Sequence, residues 1–116
     1  MALINIRRGE IWWVSLGPTI GSETRKKRPC LIVQRDAANA RSPMTIVCPL
    51  TDGRLRKSDV LNVPVAAGTA GLAKDSVVLC NQVRAVDRSR FGSHLGTLPD
   101  ATIQAVDRGL KEILDL

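Results

Sequence analysis

The sequence predicts a mainly β fold with one helix near the C-terminus, arranged as a small barrel or coiled sheet against which the helix packs. Short runs rich in Val, Ile and Trp alternate with loops that contain Gly, Pro, Asn and Asp, which is typical of β proteins. Near the end, apolar residues recur at spacings of three and four. No internal repeat or linker divides the chain, so we expect one domain over residues 1–116.

The predicted strands are bounded by turn residues and are rich in β-branched side chains. They cover residues 11–16, 29–34, 45–50, 60–65, 76–80 with a continuation over 83–86, and 91–98. Pro49 predicts an edge position or a bulge near the end of the third strand, because proline lacks an N–H. Residues 60–65 alternate as an edge strand does, and residues 76–80 are typical of a central strand.

The helix is predicted to begin at Pro99, which suits a first helical position, followed by Asp100 at the positive end of the helix dipole. Its apolar stripe consists of Ile103, Val106, Leu110, Ile113 and Leu114.

Composition favours a polyanionic partner. Seventeen Lys and Arg against eleven Asp and Glu give a net charge of +6, which suits nucleic acid or an acidic protein segment without choosing between them. The aromatic residues are Trp12, Trp13 and Phe91, which weighs against an RNA surface built from stacking platforms. No apolar run approaches the roughly 20 residues that span a bilayer, and the N-terminus lacks a signal-peptide pattern, so we expect a cytoplasmic protein.

Metal and cofactor chemistry is not expected. Cys30, Cys48 and Cys80 lie in apolar runs without metal-type spacing, which indicates reduced, buried thiols. His94 is the one histidine, and a single imidazole cannot supply a cluster of zinc ligands.

The candidate site centres on residues 21–34, where a basic loop runs into the second predicted strand. Arg28 stands at this junction, and a solvated loop without specific function remains the alternative. Thr51 leaves the third strand. If these two strands pair antiparallel, Arg28 and Thr51 meet at the same end of the sheet, and Ser22 and Glu23 in the preceding loop could cover them.

An acid, a guanidinium and a hydroxyl in one cleft suit phosphoryl chemistry. RNA cleavage by its own 2′-OH needs no metal and no covalent residue, but it needs a proton acceptor, charge stabilisation at phosphorus and a proton donor. Arg28 fits charge stabilisation through its planar fork and is a poor acid. Thr51 could hydrogen-bond the phosphate, and Glu23 is the nearby group with a useful pKa.

At these residues the chain resembles the MazF/PemK-type toxins of bacterial toxin–antitoxin systems. The matching pieces, in chain order, are RGEIW from Arg8, GPT from Gly17, GSE from Gly21, RP from Arg28 before LIV, PLT ending at Thr51, QVR from Gln82 and LPD from Leu98. The resemblance implies a homodimeric SH3-like barrel that acts as a metal-independent, sequence-specific endoribonuclease on single-stranded RNA. It also implies a 2′,3′-cyclic phosphate product and inhibition by a cognate antitoxin with an acidic segment.

The resemblance places the family's catalytic arginine and threonine at Arg28 and Thr51, and an acidic position of some members at Glu23. Some relatives carry a histidine at the position of Ser22 and an aspartate, proposed as the base, at that of Asn81. The residues expected to contact the substrate are Ser22, Lys27, Asn81, Gln82 and Arg84.

Several alternatives stay open at this point. Trp12 and Trp13 fall on opposite faces of one strand, so one is expected in the core or a dimer interface, while the other could touch RNA or antitoxin. Arg54, Arg56 and Lys57 could attract RNA or form a solvated loop, and Arg84, Arg88 and Arg90 could bind antitoxin or pair with Asp87. The alternative function is that of a non-catalytic toxin of the CcdB kind, which poisons DNA gyrase by binding it.

Overall fold

The computed structural model describes residues 4–17 and 27–116. Over these residues the strands are β1 (Glu10–Ser15), β2 (Lys27–Ile32), β3 (Met44–Asp52), β4 (Asn62–Val65), β5 (Ser76–Leu79), β6 (Arg84–Asp87) and β7 (Phe91–Thr97). The helices are a single turn, α1 (Asp36–Asn39), and the long α2 (Asp100–Leu114). Short 3₁₀ turns cover Thr69–Gly71, Cys80–Gln82 and Arg88–Arg90. The predicted mainly β fold with a C-terminal helix is confirmed, whereas α1 was not predicted.

The strands form one antiparallel sheet in the order β4-β5-β3-β2-β1-β7, with β6 also paired to β3. Within the described residues the sheet is not closed, and β4 and β7 lie at its two ends. Of the two predicted arrangements, the molecule therefore has the coiled sheet. The edge position predicted for residues 60–65 is confirmed in β4.

Strand β3 is the centre of this sheet. It pairs with β6 over residues 44–47, with β2 over residues 47–49 and with β5 over residues 50–52. The edge position or bulge predicted at Pro49 is not found, because β3 has neighbours on both sides and its register with β2 runs through Pro49 without a shift. The missing N–H of proline is tolerated there because Pro49 lies between the stretch that pairs with β6 and the stretch that pairs with β5.

The predicted continuation of residues 76–80 into residues 83–86 is also wrong. The 3₁₀ turn Cys80–Gln82 separates β5 from β6, and the two strands pair with opposite ends of β3. All four residues of β5 are buried, as expected of a central strand.

Two cores occupy the two faces of the sheet. The first contains Ile11, Leu31, Leu50 and Val78 and is covered by α2 through Val106. The second contains Trp12, Val14, Cys30, Ile32 and Val47 and is covered by Ile6 from the N-terminal segment. Alternation along β2 assigns Leu31 to the first core and Cys30 and Ile32 to the second, so both faces of β2 are buried over these residues.

Helix α2 begins at Asp100, with Pro99 immediately before its first turn rather than inside it. Ile103 and Leu110 pack on the first core beside Val106. Ile113 and Leu114 are exposed, so the predicted apolar stripe does not contact the core over its whole length. No helix among the described residues is long and apolar enough to cross a membrane.

Candidate functional site

Arg28 and Thr51 meet at one end of the sheet. In the antiparallel register Cys30 lies opposite Pro49, which places Arg28, two residues earlier in β2, level with Thr51, two residues later in β3. The Arg28 Nη1 atom donates a hydrogen bond of 3.1 Å to Thr51 Oγ1. The juxtaposition predicted from the strand ends is therefore present in the structure.

This bond orients both groups. Thr51 is β-branched and sits in a strand that pairs with Val77, so its side chain has few rotamers. Because the hydroxyl oxygen accepts from Arg28, the hydroxyl proton is left to donate to another group. A phosphate oxygen next to the pair can accept from both the guanidinium and the hydroxyl.

The pair opens into a cavity of about 620 Å³, a volume within the range of small-ligand sites. Its apolar lining residues are Trp13, Pro29, Leu50, Leu72, Ala73 and Leu95. The polar and charged lining residues are Lys27, Arg28, Thr51, Asp52, Lys74 and Ser76. Three cations thus share one cavity with a hydroxyl-bearing strand end.

Asp52 is the carboxylate in this lining, but it is a weak base. The Arg54 side chain, which donates to both carboxylate oxygens over 2.7–3.3 Å, lowers the pKa of Asp52 to about 2, and the Arg54 backbone N–H adds to the effect. A group that releases its proton so readily holds an abstracted proton poorly. Sequence reasoning did not include Asp52, and the structure gives no reason to make it the proton acceptor.

The other predicted site residues divide into three groups. Lys27 lines the cavity beside Arg28. Asn81 and Gln82 are exposed in a 3₁₀ turn, and Arg84 is exposed at the start of β6, outside the cavity lining. Ser22 and Glu23 lie outside the described residues.

Arg84 nevertheless belongs to the same face as Arg28. Burial raises the pKa of the Cys30 thiol to about 12, and the positive charges of Arg84 and Arg28 both act against this rise. In the sheet, Arg84 lies opposite Val47 and Val47 lies opposite Ile32, so the register places Arg84 on the same face as Ile32 and Arg28.

Sequence reasoning missed the far wall of the cavity. Residues 71–74, within the loop predicted over residues 66–75, line it together with Leu95 from β7. Gly71 has a φ of +76°, and an added Cβ would collide with the backbone of Leu95. The close approach of this loop to β7 depends on a glycine whose partner is distant in sequence, so no local pattern announces it.

Two further arginines and His94 make contacts outside the cavity. Arg88 is buried, and its Nη1 donates to the Ile4 carbonyl at 2.6 Å. Arg90 donates to the carbonyls of Ser15 and Gly17 at the end of β1. His94 stacks on Trp12 with ring centroids 4.9 Å apart.

Together, the fold and the site are those of a small, mainly β protein with a cationic, hydroxyl-bearing cleft that suits a phosphate group. A family model described as the PemK-like, MazF-like toxin of type II toxin–antitoxin systems matches residues 7–114. The chain belongs to this family.

Individual relatives agree with this assignment over nearly the whole chain. Endoribonuclease MazF6 of Mycobacterium tuberculosis is 35% identical over 112 residues, covering 96% of this chain and 98% of that protein. Endoribonuclease EndoA of Bacillus subtilis is 33% identical over 112 residues, covering 96% of each. A crystal structure of MazE–MazF from Deinococcus radiodurans superposes with a TM-score of 0.80 at 26% identity, covering 97% of this chain and 98% of that one.

Proposed function

We propose that this protein is an endoribonuclease toxin that cleaves single-stranded RNA at a phosphate bound by Arg28 and Thr51, and that a cognate antitoxin neutralises it. The observation that carries the proposal is the hydrogen-bonded pair of Arg28 and Thr51 within a cavity that holds further cations. Membership of the toxin family supports it, and the two curated relatives are named endoribonucleases, which favours RNA cleavage over gyrase poisoning.

The proposed reaction is a transesterification within the RNA. The 2′-oxygen forms a bond to the adjacent phosphorus as its proton passes to a base, and the bond from phosphorus to the 5′-oxygen breaks. The 5′-oxygen takes up a proton, so the products are a 2′,3′-cyclic phosphate and a 5′-hydroxyl. No metal ion or cofactor enters these steps.

Arg28 and Thr51 act on the charge that develops at phosphorus. The guanidinium binds phosphate oxygens through its planar fork and supplies a fixed positive charge. Thr51 donates its hydroxyl proton to the same phosphate. Donors fixed before the reaction stabilise such charge without reorganisation, which is a major source of rate acceleration.

We propose Glu23 as the proton acceptor. Asp52 is too acidic for this role because Arg54 holds it ionised, and His94 is engaged with Trp12. We further propose that Lys27, Asn81, Gln82, Arg84 and Ser22 contact the bound RNA, with Lys27 the member of this set that lines the cavity.

The proposal also covers the setting in which the enzyme acts. The active form is a homodimer in the cytoplasm, and an acidic antitoxin segment binds across the cationic cleft and blocks it. The matching fold in a MazE–MazF structure supports a partner of this kind.

The first test is cleavage of a long single-stranded RNA by the purified protein in excess EDTA, with mapping of the new ends. We expect discrete cuts that leave 2′,3′-cyclic phosphates. Arg28→Ala is expected to lower kcat by about a hundredfold or more, because removing one preorganised donor typically costs that much. Thr51→Val keeps the β-branched shape and should reduce kcat by removing the hydroxyl alone.

Arg108→Ala is the matched control, since Arg108 is an exposed cation on α2. It should cut at the parent rate. RNA that stays intact with the parent protein at micromolar concentration would contradict the proposed function, and cleavage by Arg28→Ala at the parent rate would contradict the assigned site.

A further inference from the structure

Trp13 is a large aromatic residue left open at the cleft. It keeps 38% of its accessible surface, whereas its neighbours Trp12 and Val14 keep 8% and 1%. Successive side chains of a strand point to opposite faces, so Trp12 fills the second core and Trp13 points away from it. The indole of Trp13 lines the cavity that holds Arg28 and Thr51.

An irregularity in β7 lies directly beside this residue. Trp12 pairs with His94 and Val14 pairs with Phe91, so two residues, Gly92 and Ser93, lie opposite Trp13. Such bulges redirect side chains and are common next to active sites. On its other side Trp13 faces Pro29. Neither glycine nor proline carries a long side chain that could fold over the indole.

The chemistry around the indole matches a nucleotide. A nucleotide joins a flat π-face to an anion, and the cavity joins the indole and apolar Leu95 to the cations of Lys27, Lys74 and Arg28. Bases of single-stranded RNA stack on aromatic side chains irrespective of sequence, because every base has a π-face. The cationic side chains can then bind the phosphates on either side of the stacked base.

We propose that Trp13 stacks on the base next to the cleaved phosphate and so positions that phosphate against Arg28 and Thr51. The inference rests on the proposed function, because the stacked base belongs to the RNA substrate. A nucleotide is favoured over a protein partner because the same cavity carries the Arg28–Thr51 pair and two lysines. Of the two tryptophans, Trp13 is thus the one that contacts RNA, while Trp12 lies in the second core.

The test uses the protein and a short single-stranded RNA that contains a mapped cleavage site. Trp13→Ala is expected to lower kcat/KM by between about fivefold and one hundred and fiftyfold, the range typical for losing one base–aromatic stack. Trp13→Phe keeps a stacking ring and should restore most of the loss. Ile46→Ala, at an exposed apolar position of β3 outside the cavity, should leave kcat/KM unchanged.

A second readout separates stacking from a structural role. RNAs that carry an abasic nucleotide on the 5′ or the 3′ side of the cleaved phosphate are compared with the intact RNA. In the parent protein, one of the two abasic positions should lower binding and cleavage to the degree that Trp13→Ala does. In Trp13→Ala the same abasic position should have almost no further effect. If Trp13→Ala does not fold, Trp13→Leu, which keeps apolar bulk but has no π-face, takes its place in both comparisons.

Three results would overturn the inference while leaving the proposed function intact. One is a Trp13→Ala variant that cuts like Ile46→Ala. Another is an abasic substitution that lowers cleavage to the same degree in the parent protein and in Trp13→Ala. The third is a Trp13→Ala variant with parental RNA binding but a lost dimer or lost antitoxin binding, which would assign Trp13 to a protein interface.

Discussion

Arg28 and Thr51 derive their relation from the register of two strands rather than from flexible loops. Because β2 and β3 pair through Cys30 and Pro49, the 3.1 Å bond between the two side chains follows from backbone hydrogen bonding. A site held in this way needs little ordering when substrate arrives. Lys27, the first residue of β2, directly precedes Arg28.

The three cysteines contribute to stability in a pH-dependent way. Burial raises the pKa of Cys30 and Cys48 to about 12 and that of Cys80 to about 11, from an ordinary value of 9.0. The folded protein therefore binds protons at these thiols more tightly than the unfolded chain does. Their contribution is fully present below pH 9 and is lost as the pH rises through 11 and 12.

We expect the free energy of unfolding, measured in urea, to fall as the pH is raised from 8 to 11 because the unfolded thiols ionise first. At pH 8 the folded protein should resist a thiol reagent that reacts at once with the chain in urea. Cys30→Ala should be less stable at pH 8 but should lose less on going to pH 11. Equal thiol reactivity in folded and unfolded protein would show that these side chains are not buried.

At the scale of elements, what the sequence could predict depended on how local the signal was. The β-rich run at Trp12 and Trp13 and the periodicity of α2 identified β1 and the helix, and strand ends located Arg28 and Thr51. Pairing partners were not local. The change of partner at Pro49 and the approach of Gly71 to Leu95 depend on residues far apart in sequence. Alternation reports which face a residue occupies, not which strand lies beside it.

Gly109 shows the same limit inside α2. Glycine weakens a helix interior, yet Gly109 is buried, and an added Cβ would lie 2.6 Å from the Val60 carbonyl oxygen and 2.7 Å from Cys80 Sγ. The helix approaches the sheet closely because this position lacks a side chain.

Gly109→Ala is expected to destabilise the protein by about 1–3 kcal/mol, because overpacking against a backbone oxygen outweighs the propensity gain of about 1 kcal/mol. Gln104→Ala, at an exposed position of the same helix, should be neutral or slightly stabilising. Urea unfolding of both variants checks this. A stabilised Gly109→Ala variant would mean that the helix can move away from Cys80 at little cost.

At the scale of the whole molecule, the net charge of +6 draws the protein to polyanions, and the cleft concentrates part of it. Lys27, Arg28 and Lys74 line one cavity, whereas Arg54 is paired with Asp52 and Arg88 is buried. The net charge alone does not show which cations line the cleft and which are paired or buried. It arises because folding engages some cations with carboxylates or carbonyls and leaves others facing the cleft.

The affinity for RNA should therefore fall as the salt concentration rises, with a slope set by the small number of phosphates that the cleft contacts. Binding is measured with an RNA that lacks the 2′-OH at the cleavage site and so is not cut. Each phosphate contact contributes about −0.7 to the slope of log K against the logarithm of the salt concentration. We expect Lys74→Ala to make the slope shallower by about 0.7, and Lys111→Ala on α2 to leave it unchanged. Identical slopes for the parent and Lys74→Ala would remove Lys74 from the RNA contact surface.

The beginning and the end of the chain are joined in the fold. Arg8 forms an ion pair with Asp107, 99 residues away in the sequence, and β1 pairs with β7. The cleft wall itself combines Trp13 with Leu95. During translation the cleft therefore stays incomplete until the segment that carries Leu95 has left the ribosome. Under the proposed function, the nuclease site does not form on the growing chain until β7 has been made.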